Sequence, residues 1–145
     1  MSSARESVLH ALHMLLETLE TSTLVITRNP GKAQKIPDGG ALVTLRDGDS
    51  NEPEMLLSPL TYIYEHRASI EVSVSTSTSS PDALLDTIFV SIGSTLAADP
   101  TLGGLVEWME PQAADIVQDD AEGAPVLRQA TVPVMVRFHT ENPLL

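Results

Sequence analysis

The chain has 145 residues, a length that predicts one domain able to bury a sizeable core without disulfide or metal staples. Twenty Asp and Glu against eight Lys and Arg give a formal charge of −12 beside 42% hydrophobic residues, a globular balance whose sign opposes tight binding to phosphate backbones. Cysteine is absent, which excludes disulfides, thiolate metal sites, iron–sulfur clusters and cysteine nucleophiles, and the five aromatic residues are too few to build a core, which is therefore expected to be aliphatic.

Met1 to Glu6 lacks the basic and unbroken apolar regions of a signal peptide, and no apolar run approaches the roughly 20 residues of a membrane span, so a soluble intracellular protein is expected. From Ala4 to Glu20, Val8, Leu9, Leu12, Leu15, Leu16 and Leu19 share one side of a 3.6-residue wheel, with Glu6, His10, His13, Glu17 and Glu20 on the other. Ser2 and Ser3 offer an N-cap for this amphipathic helix.

Thr23 to Thr27 and Ala41 to Leu45 read as strands. The stretch Arg28 to Gly40 between them, with two prolines and three glycines, reads as a loop long enough to have a task, and it holds three of the basic residues, Arg28, Lys32 and Lys35. A turn region, Asp47 to Pro53, leads to a strand over Glu54 to Ser58. The longest strand follows, with Ala68, Ile70, Val72 and Val74 alternating with Ser69, Glu71, Ser73 and Ser75, and with Tyr62, Tyr64 and His66 extending the buried parity.

Ser80, Pro81 and Asp82 supply an N-cap, a proline at N1 and a first-turn acid for a second helix, with a stripe of Leu84, Leu85, Ile88, Ile92 and Leu96 and a stop at Asp99-Pro100. Gly93 inside it suggests close packing. Leu105 to Glu110 reads as a strand, Asp115 to Gly123 as an acidic solvated turn, and Val132 to His139 as a last strand that, because of Pro133, begins at or lies along a sheet edge. The predicted fold is α+β, an α/β sandwich in which two helices cover one mainly antiparallel sheet in the order α-β-β-β-β-α-β-β.

Candidate chemistry is sparse. Asp47-Gly-Asp-Ser-Asn51 starts like a calcium loop, but Glu52 stands where glycine is required and Ser58 where a bidentate Glu belongs. His10, His13 and Glu17 share a helix face at metal-ligand spacing without a further ligand nearby, which reads as a solvated stripe. The serines lack a nucleophile elbow or an adjacent base, and no phosphate-binding glycine pattern occurs, so neither an enzyme nor a bound cofactor or metal is expected. His66 and Tyr64 are the only polar groups suited to a pocket between helices and sheet, and both suit the core equally well.

Several segments together resemble the tail terminator proteins of long-tailed phages and of phage-like gene transfer agents. They are the N-terminal helix, the proline-containing loop before Asp38-Gly-Gly40, the strand Tyr64 to Val74, the helix Asp82 to Ala98 running into Asp99-Pro-Thr-Leu-Gly-Gly104, and the ending Val134 to Thr140 before Asn142-Pro143. The resemblance spans nearly the whole chain and rests on order and spacing. It implies a six-fold ring that caps the tail tube and joins it to head-completion (stopper) proteins, with DNA passing through an acidic conduit without specific binding, in a particle made in the bacterial cytoplasm. It implies no catalytic residue. Ring contacts are expected from loops and sheet edges: Arg28, Lys32 and Lys35, then Arg46, Asp47 and Asp49, then Arg137 and the tail Glu141 to Leu145. Two other readings stay open: a small domain that binds a ligand or acyl group, and a neighbouring tail-tube or head-completion subunit.

Overall fold

The computed structural model describes residues 2–75, 77–78, 80–119 and 127–145. Helix α1 (Ala4–Glu17) starts where Ser3 Oγ accepts the Glu6 N–H at 3.1 Å, satisfying one of the donors a helix start leaves free. It buries Val8, Leu9, Leu12 and Leu16, while Leu15 and Leu19 lie half-buried at the margin. Helix α2 (Pro81–Ala98) begins with its proline in the first turn and buries Leu85, Ile88, Ile92 and Leu96. A short 3₁₀ turn (Leu102–Gly104) follows.

The strands are β1 (Leu24–Arg28), β2 (Ala41–Ser50), β3 (Glu54–Leu57), β4 (Leu60–Val74), β5 (Trp108–Pro111), β6 (Asp115–Asp119) and β7 (Leu127–Thr140). They form one sheet in the order β1-β2-β4-β7-β5, with β3 beside β4 and β6 beside β7. Only β1 and β2 run parallel. This is the expected α+β fold and the expected order of helices and strands.

Two long strands make the backbone of the sheet. β4 and β7 pair antiparallel from Tyr62↔Thr140 to Val74↔Arg128. On the helix-facing side His66, Ala68, Ile70, Val72 and Val74 meet Ala130, Val132, Val134, Val136 and Phe138, all buried, so the period-2 alternation is realised without a register break. Val43 and Leu45 of β2 complete that face.

The structure departs from the sequence reading in three places. β7 is an interior strand, and Pro133 is accommodated by a break in its second neighbour. β5 pairs with Val134 to Arg137 and β6 with Leu127 to Thr131. Between them the Gln112 N–H donates to the Pro133 carbonyl at 2.8 Å. A residue's N and C=O point to the same side of a strand, so the missing donor faces the break, where no ladder bond is lost.

The acidic stretch read as a turn instead begins with strand β6 over Asp115–Asp119; the rest of it, 120–126, lies outside the described residues. Strand β2 runs on to Ser50, so most of Asp47 to Asn51 is strand rather than a ligand loop. A bulge between Arg46 and Asp49 accommodates it, where Gly48 has φ +68° and a Cβ would meet the Arg67 carbonyl oxygen at 1.8 Å.

The long loop has a topological reason. Parallel neighbours need a crossover of about a dozen residues, and residues 29–40 supply it without a helix. The crossover passes over the sheet face opposite the helices, where Pro30 to Gln34 and Ile36 line a hollow of 470 Å³ with Leu42, Thr44 and Glu71. Ile36 is half-buried there, an apolar anchor within the loop.

Candidate interaction surface

The expected contact residues fall into two groups. Arg28, at the end of β1, is spent inside the fold. Its Nη1 and Nη2 bond both Glu6 carboxylate oxygens at 2.8 and 2.9 Å, and its Nε and Nη2 bond Asp47 at 2.9 and 3.0 Å, tying α1, β1 and β2 together. The Arg28 hydrogen bonds hold Glu6 below the ordinary carboxylate range. Burial pushes the Asp47 carboxyl up, and hydrogen bonds donated to it by Arg28 and Asn29 outweigh that and leave the group lowered.

Arg137 on β7 is likewise committed: it reaches Glu107 at 2.9 Å, Glu65 at 3.0 Å and Glu54 at 3.5 Å, joining β7, β4, β3 and the segment before β5. Arg46 lies 3.3 Å from Glu71 on the adjacent strand, both well exposed. Lys32, Lys35 and Asp49 are exposed. The tail is tied back, with the Leu145 carbonyl accepting the Ala4 N–H at 2.8 Å, while the Leu144 and Leu145 side chains point outward.

His66 is fully buried. A carbonyl only accepts, so Nε2–H donates to the Asp47 main-chain oxygen, and Nδ1 accepts from the Ser50 hydroxyl at 2.7 Å. Burial pushes this imidazole below its ordinary value, against the raising effect of the Asp47 bond. Both nitrogens are satisfied by the neutral ring, which pins the β2 bulge to β4. Beside it a cavity of 250 Å³ opens between Tyr64, Phe138, Ser50, Arg5 and Pro143, with Tyr64 and Phe138 stacked at 5.6 Å.

His13 pairs with Glu17 at 2.8 Å along α1, whereas His10 is exposed. Among the described residues no three His, Asp or Glu side chains gather as a metal-ligating group, and no helix is long and apolar enough to cross a membrane.

A group of exposed apolar residues on one hairpin was not singled out by the sequence. Strands β3 and β4 form a hairpin that reverses between Leu57 and Leu60 through a cis Ser58-Pro59 bond. Met55 is 54% exposed, Leu56 49%, Leu57 78% and Leu60 44%. The signal was present in Met55-Leu-Leu57, three consecutive apolar residues in a short strand: such a run puts apolar side chains on both faces at once.

A second apolar feature is a groove of 350 Å³ between α2 and the β5–β6 edge, lined by Phe89, Ile92, Gly93, Pro111, Ala114 and Val132 among others. No protein-family model and no curated protein matches the chain.

Proposed function

We propose that the chain is a structural subunit of a tail terminator ring, a hexamer that caps a phage-type tail tube and joins it to head-completion proteins around a DNA conduit. The observation that supports this most is the β3–β4 hairpin, which exposes Met55, Leu57 and Leu60 on one face and Leu56 on the other, on a chain of charge −12. A patch of that kind marks a protein contact rather than ordinary surface. The acidic balance suits a passage that must not hold DNA. Arg28 and Arg137 are engaged within the subunit, whereas Lys32 and Lys35 are exposed to a neighbour, as are Arg5 and Arg67.

The ligand-binding reading has one observation in its favour, the cavity beside Tyr64 and Ser50. His66, the polar group the sequence offered to such a pocket, does not line it and has both ring nitrogens bonded inside the protein. A tube subunit would share the exposed hairpin but stack without limit. Sedimentation velocity over a concentration series separates the three. The terminator reading expects one discrete species of six times 15.6 kDa, about 94 kDa; a mass that keeps growing indicates a tube subunit, and a monomer throughout overturns assembly.

A further inference from the structure

We propose that the apolar tip of the β3–β4 hairpin of one copy seats in the groove between α2 and the β5–β6 edge of a second copy. This head-to-tail contact rests on the ring reading and names the two surfaces that meet in it.

Gly93 is the first argument. A glycine inside a helix destabilises it relative to alanine, so a fold keeps one where a neighbour comes close. Among the described residues nothing comes close: a Cβ at Gly93 would meet no atom within 4 Å. The space above the helix backbone is open along an apolar groove, with room for a side chain brought by a second copy.

Charge selects the occupant. Residues 55–63 of the hairpin carry no charged side chain, and neither does the groove lining. On subunits of charge −12 this pairing brings apolar surface together with few carboxylates opposed. Gln112 is the one polar side chain among the groove lining, too little to orient a small molecule, which favours an apolar hairpin.

Geometry excludes the subunit's own hairpin. Leu60 and Ser69 are nine residues apart on β4, about 30 Å at 3.3 Å per residue, and Ser69 pairs with the Pro133 that receives the Gln112 N–H. Knob and groove thus lie far apart on one subunit. A contact between two different surfaces is heterologous, and repeated around an axis it closes a ring.

The chain has no cysteine, so introduced thiols report one contact each. The full-length Leu57→Cys/Ala113→Cys variant, mildly oxidised and separated without reductant, is expected to give a ladder of linked copies. Leu57→Cys alone should give almost none, and adding Gly93→Leu to the pair should cut linkage at least tenfold with an unchanged circular dichroism spectrum. Met55→Cys/Gln112→Cys tests the same contact independently.

If both pairs stay monomeric, the contact is overturned, and a wild type that still sediments as one ring mass leaves the ring reading standing. A ladder without a last rung keeps the contact and overturns the ring. Linkage by Leu57→Cys alone as strong as by the pair means that hairpin meets hairpin, and overturns the proposal.

Discussion

His66 shows how one residue can hold a local irregularity in place. The bulge at Gly48 brings the Asp47 carbonyl and the Ser50 hydroxyl onto the two nitrogens of a buried neutral ring. Because the folded-state value lies below the ordinary 6.5, the unfolded chain binds the proton more readily, so stability is full above about pH 6.5 and falls as pH drops toward the folded value. Urea midpoints at pH 7.5 and 5.5 are expected to drop more for the wild type than for His66→Gln, which lacks this titration. Glu6 and Asp47 act in a separate, more acidic window, since both are lowered from values already at or below 4.5.

Leu12, with no exposed surface, represents the opposite kind of residue: Leu12→Ala is expected to cost about 2–5 kcal/mol in a denaturant titration through the cavity it leaves. On the same helix His13→Ala should cost only about 0.5 kcal/mol, the worth of its i,i+4 pair with Glu17.

At the scale of elements, legibility followed periodicity. The helices α1 and α2 and the long strands β4 and β7 were readable because each buries one face of a regular pattern. Pro133 misled because a proline excludes a ladder bond, which an edge avoids, and so does the gap between β5 and β6; only tertiary structure distinguishes them. The β6 strand was hidden by acidic residues that favour turns.

Of the contact candidates, Lys32, Lys35 and Asp49 are where a neighbour could reach them, whereas Arg28 and Arg137 found carboxylates of their own, a pairing across distant segments that no local pattern reveals. Gly93 belongs here as well. If the helix keeps it for an outside occupant, Gly93→Ala should raise the stability of the isolated subunit by about 1 kcal/mol in thermal or urea unfolding. A loss of stability would mean that glycine serves the fold itself.

At the scale of the molecule, one sheet is covered by two helices on one side and crossed by residues 29–40 on the other, and it leaves an apolar hairpin projecting from one part and an apolar groove in another. A subunit of this acidity associates only where contact is dense enough to outweigh like-charge repulsion, which is why the uncharged hairpin matters more than any ion pair on the surface. Leu57, 78% exposed and touching little of its own chain, is therefore the residue whose change should alter assembly and nothing else. The most direct measurement is native mass spectrometry of the wild type beside Leu57→Glu, with circular dichroism on the same samples. The account predicts a six-copy ring for the wild type and a folded monomer for the variant; a wild type that stays monomeric, or a Leu57→Glu ring of unchanged mass, would contradict it.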